Sequence, residues 1–210
     1  MSELPALPDG DEPPGVDALA DRLASLVPAD DRESARALLA DRVLPSALSG
    51  LAEHPRPRRL AEVVYEDLGE RLASAEPEDR FAEVEAVADE SEIRSLAARA
   101  QSLAVARYLS DDPNAVGRAG PFLDAEAEAW RERGTDAIAQ EASAALDALE
   151  EWAERVRDER PELFETRRID YLHAQLALGS ARTGSFATAA GALYDFLELM
   201  GTARDRLDIH

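Results

Sequence analysis

The stretch Thr135–Arg157, TDAIAQEASAALDALEEWAERVR, decides the fold class. Its apolar residues are Ile138, Ala142, Ala145, Leu146, Leu149, Trp152, Ala153 and Val156. They recur at intervals of three and four, which places them on one stripe of a helix with 3.6 residues per turn. The run is shorter than three heptads, so it predicts the core of a bundle rather than a coiled-coil seam. Thr135 is placed to cap this helix, which is expected to be the longest in the chain.

The same pattern extends in both directions. Toward the C-terminus, Pro161 opens a helix with Phe164, Ile169, Leu172, Leu176 and Gly179 in register, and Thr183-Gly184 breaks it. Ser185 caps a last helix carrying Phe186, Ala189, Ala190, Leu193, Phe196, Leu197 and Met200. Toward the N-terminus, Pro121 begins a helix with Phe122, Ala125, Ala129 and Trp130 that ends at Gly134, and Asp112-Pro113 begins a short turn. Ser91 caps a helix with Ile93, Leu96, Ala97, Ala100, Leu103, Ala104 and Tyr108 inward. Pro77 opens one with Phe81, Val84 and Val87 or Ala88, and Pro57 one with Leu60, Val63, Val64, Leu68 and Leu72. Asp30 and Glu33 form a variant capping box for a helix through Leu39 and Val43, which Pro45 kinks or ends. The first helix, Val16–Val27, turns Leu19, Leu23, Leu26 and Val27 inward and stops at Pro28. Strand alternation and Asn-Gly turns are absent. The expected architecture is all-α, a single bundle of about eight or nine helices arranged largely as antiparallel hairpins, with no sheet, over residues 16–210. Trp130 and Trp152 are its expected anchors. Residues 1–15, with Pro5, Pro8, Pro13 and Pro14, propagate neither helix nor strand and read as a loosely packed or disordered tail, from which Leu4 and Leu7 are available to dock.

Composition bounds the function. Forty-four acidic residues face 23 basic ones, a formal charge of −21, and every basic residue is arginine. This resembles the pattern of salt-in halophilic archaea, and that resemblance implies an acidic surface adapted to a salt-rich cytoplasm. The chain has no cysteine, so it has neither disulfides nor a thiolate metal site. MSELPALPDGDEPPG carries no signal-peptide pattern and no apolar run approaches a membrane span, so a cytoplasmic protein without membrane contact is expected.

No motif for chemistry emerges. The histidines are His54 in a proline-rich connection, His210 at the end, and His173 inside a helix. Of the positions three or four away from His173, only Asp170 carries a ligand. The Glu-x-x-His pairs of a di-iron bundle, the aspartate-rich DDxxD motif, GxSxG, GxGxxG and Walker loops are all missing. No catalytic residue, cofactor or metal is therefore assigned. Two arginine clusters stand out, Arg56/Arg58/Arg59 and Arg167/Arg168. The first lies at a helix start, where the dipole disfavours cations. It marks an anion contact or, more simply, ion pairs to acids such as Glu62 and Asp67. Net charge argues against nucleic acid.

Leu176-Ala177, Gly184-x-Phe186-x-x-Ala189, Leu193 and Phe196-Leu197 together resemble one tetratricopeptide-type helical hairpin, with His173 where an aromatic is usual. That resemblance implies close helix crossing over small residues and a peptide-binding concave face. It covers under a fifth of the chain, and no second copy stands at repeat spacing, so the segment is read as a generic antiparallel hairpin.

Three functions stay open. The leading one is a non-enzymatic interaction protein, whether adaptor, chaperone-like or regulatory, with a protein partner or self-association. The second is an enzyme or small-ligand binder with a pocket near Tyr171 and His173. The third is a transcription-associated regulator using Arg56–Arg59. One expectation is independent of them. A dense carboxylate surface repels itself, and molar salt contracts the Debye length to ~3 Å. The melting temperature should therefore climb from dilute buffer to multimolar KCl, and identical thermal melts in the two would contradict this.

Overall fold

The computed structural model describes residues 4–7, 12–49, 55–112, 114 and 123–184. Among them every regular element is helical and none is a strand. Helix α1 is Val16–Ala24. Helix α2 is a continuous run of Arg32–Leu38, a π-helical turn Leu39–Val43, and Leu44–Ala47. Then come α3 (Pro57–Ser74), α4 (Arg80–Asp111), α5 (Ala125–Arg133), α6 (Thr135–Glu159) and α7 (Pro161–Thr183). That makes seven helices among the described residues, against the eight or nine expected. The chain divides into two compact units, Met1–Glu92 and Ile93–His210, each with its own core, and the boundary falls within α4.

Several expected boundaries differ from the observed ones. Ser91 does not start a helix. Between Arg80 and Asp111 there is neither glycine nor proline, so nothing stops propagation, and α4 rather than α6 is the longest element. The Asp30/Glu33 capping box does not form. Ala29–Asp31 is a 3-10 turn leading into α2, and Asp31 at the N-cap accepts no side-chain bond. The start of α5 lies at Ala125. Asp124 caps it by accepting from the Ala127 N–H at 2.7 Å. Likewise Gly134, at φ 93°, is the N-cap of α6, and no Thr135 cap is made. After Pro45 the helix runs only two residues further, to Ala47. The proline ring would strike the carbonyl one turn back, and the widened π turn at Leu39–Val43 lies there. His54, Pro113, Pro121, Phe122, the Ser185 helix, the tetratricopeptide-like pattern beyond Gly184 and His210 lie outside the described residues.

In the first unit Leu19, Leu23, Leu39, Leu44, Leu72 and Val84 form the centre of the core. Arg36 of α2 pairs with Asp17 (2.8 Å) and Asp21 of α1. Arg71 of α3 bridges Glu83 and Glu90 of α4, the latter at 2.9 Å. In the second unit all eight residues of the Ile138–Val156 stripe are buried, and α6 packs most extensively on α7. Trp152 is fully buried at 0% exposure, while Trp130 is half-buried beneath the Arg133 guanidinium, 4.4 Å from its ring centre.

On two helices the buried line is rotated from the expected one. In α3 it runs Ala61, Tyr65, Gly69, Leu72, with Leu60 and Val63 only half-buried. In α7 it runs Phe164, Ala174, Leu178, Ala181, leaving Leu172 and Leu176 half-buried and Ile169 41% exposed. Alanine and glycine bring backbones closer than leucine does, so the small residues take the contact line and the large ones flank it.

This burial pattern separates two substitutions of large apolar residues. Trp152→Ala should cost about 3–5 kcal/mol in a denaturant melt. Ile169→Ala should stay within about 0.5 kcal/mol of the parent, as a surface change does.

Candidate functional site

The site begins with the rotated face of α3. Arg58, Tyr65 and Gly69 stand seven and then four residues apart, so they share one side of the helix. The N-terminal residues lie along it. A methyl group on Gly69 would meet Leu4 Cδ1 at 2.2 Å and Cδ2 at 2.8 Å, so the Leu4 side chain fills the notch that the missing Cβ leaves. The Tyr65 hydroxyl donates to the Pro5 carbonyl at 2.6 Å. An Arg58 guanidinium N–H donates to the Glu12 carbonyl at 3.2 Å. Leu4, Pro5 and Glu12 thus meet α3 in reverse order, at Gly69, Tyr65 and Arg58. From α1, the Arg22 guanidinium donates to the Ala6 carbonyl. Leu4 and Leu7 pack against the first core, and Ala6 faces outward.

These contacts hold a non-helical main chain with two leucines, and they do so with little to spare. Fixing four residues costs on the order of 4–8 kcal/mol of backbone entropy, less where proline has already restricted the chain. Partly burying two leucines recovers roughly 2–3 kcal/mol. Two hydrogen bonds, one from a guanidinium, recover roughly 2–4 kcal/mol.

Beside this seat opens a cleft of about 470 Å³, with Pro5, Pro28, Pro77, Leu26, Arg32 and Arg80 among its walls. Arg32 donates through Nε to the Val27 carbonyl (3.0 Å) and through Nη2 to that of Ser25 (3.4 Å). Arg80, only 7% exposed, donates through Nη1 to the Leu26 carbonyl (2.8 Å) and through Nε to that of Ala75 (3.3 Å). Ser25, Leu26 and Val27 follow directly on α1 at the negative end of its dipole, and their N–H groups already serve the Asp21, Leu23 and Ala24 carbonyls. Both arginines are therefore joined to backbone carbonyls there. The described residues that line the cleft include no histidine and no carboxylate, and the one hydroxyl among them, Ser25, donates to the Arg22 carbonyl at 2.6 Å. Among the described residues no cluster of three or more His, Asp or Glu is placed to hold a metal ion. What the arrangement offers is binding.

The residues singled out in the sequence lie as follows. Arg58 pairs with Glu62 at 2.9 Å, and Arg59 with Glu62 at 3.3 Å and Glu66 at 3.7 Å. Arg56 occupies the exposed N-cap position of α3. Tyr171 joins an aromatic cluster, 6.4 Å from Trp152 and 5.6 Å from Phe164, with the Arg157 guanidinium 4.5 Å from the Phe164 ring centre. His173 is exposed, two residues further round α7, so it and Tyr171 point to different sides. Arg167 lies 3.7 Å from Asp170, and Arg168 lies 3.4 Å from Glu165. Nothing in the sequence pattern marks Tyr65 or Arg22 as binding groups. Gly69 carries a legible signal, because glycine inside a helix costs about 1 kcal/mol against alanine and so marks a close approach.

Burial holds the Tyr65 phenol above its ordinary value, while the nearby Arg22 charge acts the other way. A raised acid keeps its proton, so the Pro5 bond is at full strength below the unfolded value of about 10 and is lost as pH rises through the folded value. The chain has no lysine and no cysteine, so few other side chains titrate in that window. A dye attached through Ser2→Cys should report release of the N-terminal segment at strongly alkaline pH. Tyr65→Phe should weaken docking several-fold at neutral pH and remove the alkaline step, whereas an unchanged step would place its origin elsewhere.

Compared with known proteins, the chain matches no protein-family model, no curated protein and no solved structure.

Proposed function

We propose that this chain is a non-enzymatic protein-interaction protein, acting as an adaptor, chaperone-like factor or regulator. One observation carries the reading. The first unit holds a non-helical segment by its main-chain carbonyls, through Tyr65 and Arg22, while Gly69 takes a leucine side chain. Main-chain bonds combined with side-chain seats are the means by which proteins recognise extended peptides in general. The alternatives have less support. A pocket around Tyr171 and His173 needs side chains that converge, and these two diverge. DNA contact through Arg58 and Arg59 competes with their pairing to Glu62 and Glu66.

The proposal extends to the setting. A charge of −21, with all basic residues arginine, fits work in the salt-rich cytoplasm of a halophilic archaeon. Packing of α6 on α7 across the single residue Arg160 supports a hairpin as the unit of construction.

The test is affinity capture of the full chain from a lysate of the source organism at multimolar salt, read by mass spectrometry, beside sedimentation of the purified chain. A stoichiometric protein partner or a defined self-associated state is expected. A monomer that captures nothing, yet gains thermal stability with a small metabolite, would replace this reading with ligand binding.

A further inference from the structure

The N-terminal segment is seated, but it is not built in. Residues 4–7 belong to no helix, and Ala6 faces solvent. They connect to α1 through a stretch that contains Pro8, Pro13 and Pro14 together with Gly10 and Gly15. The seat itself belongs to the helices. Tyr65 and Gly69 lie in the middle of α3, Arg22 lies in α1, and the apolar floor is the first core. Pro5 also forms part of the cleft wall, so the segment borders both the seat and the cleft.

We propose that this seat is a peptide-binding groove which the chain's own N-terminus occupies in cis, and that its partner is an extended segment of another protein with the chemistry Leu-Pro-small-Leu. The occupant defines the specificity. The first leucine needs the notch at Gly69, which any side chain there would fill. The next two carbonyls must accept from Tyr65 and Arg22. The third residue is small and faces out, and the second leucine rests on the core. Proline suits the second position because it needs no N–H there and holds the chain extended, which lowers the entropy lost on binding. A tethered occupant competes at a high effective concentration, on the order of millimolar for a short linker. The groove is therefore closed by default and opens to a partner that binds better or is present in excess.

This inference rests on the interaction reading above and names the partner chemistry for it. The test uses the full chain in multimolar KCl and a fluorescein-labelled, acetylated peptide, SELPALPD, followed by anisotropy. Leu4→Ala with Leu7→Ala releases the cis occupant. This double variant should bind the peptide at least tenfold more tightly than the parent. Adding Gly69→Leu should abolish the gain, and a peptide with both leucines replaced by alanine should not bind. Equal binding by parent and double variant, binding of the leucine-free peptide, or no binding by a double variant with parental helical signal and melting would each overturn the proposal. Should the double variant fail to fold, the parent with a dye at Ser2→Cys answers the same question. Excess peptide must free the dye, and a constant signal counts against the groove. Dimers that form through exchange of the N-terminal segment would assign the groove to a second copy and overturn the partner-protein assignment. A captured partner together with a groove that ignores the peptide removes this inference and leaves the interaction function standing.

Discussion

Close approach over small side chains is the constraint on which this structure depends. The chain has few aromatics and no cysteine, so its stability comes from many modest contacts. Such contacts count only at full packing density, because a gap of even an ångström forfeits much of the dispersion energy. Alanine and glycine make that density possible. Ala142, Ala145 and Ala153 of α6 and Ala174 and Ala181 of α7 are all buried, and their helices pack closely. Trp152 and Phe164 fill the wider space between the alanines, with ring centres 6.0 Å apart. On α3 the same device serves another end, since Ala61 and Gly69 make room and at Gly69 the room is taken by Leu4.

The arginines meet a second constraint. With so many carboxylates, each positive charge is valuable as a tie, and its length lets it span neighbouring elements. Arg36 joins α2 to α1, Arg71 joins α3 to α4, and Arg99 of α4 pairs with Glu141 of α6. Most of these pairs are exposed, and exposed pairs contribute at most about 1 kcal/mol each, less in salt. A different group of arginines serves carbonyls instead. Arg32 and Arg80 reach the turn that follows α1, and Arg107 reaches the Ala181 carbonyl near the end of α7 at 3.3 Å. These bonds satisfy polar groups that a helix end leaves open.

Helix class and many positions were legible in the sequence. The stripe of α6 reads correctly at every residue, because its large and small apolar residues lie on one line. The same reading misplaced α7, where Ile169, Leu172 and Leu176 look inward by size, while Ala174 and Ala181 hold the contact. Periodicity finds a helix face, but when large and small residues compete for the seam, packing distance decides, and no single-helix pattern contains that distance. Helix starts failed for a related reason. Ser91 is a competent cap, yet a cap needs a break before it, and the uninterrupted run from Arg80 supplies none. As for the site, Leu4 and Leu7 were visible as apolar residues in a polar tail, whereas Tyr65 and Arg22 become binding groups only once folding sets α1 beside α3.

The forces that hold the N-terminal segment differ in kind from those between the helices, and salt separates them. Ion pairs such as Arg36 with Asp17 weaken as ions screen them. The seat uses two leucines against an apolar floor and two donors to neutral carbonyls, Pro5 and Ala6. Neither acceptor bears a net charge to be screened, and salts excluded from protein surfaces strengthen apolar burial. The repulsion among carboxylates that strains the chain in dilute solution also fades. Concentrated salt therefore leaves the seat as strong as in dilute buffer or stronger, while the ties around it loosen. A recognition surface made of apolar contact and main-chain bonds keeps its specificity where one made of surface charges would lose it.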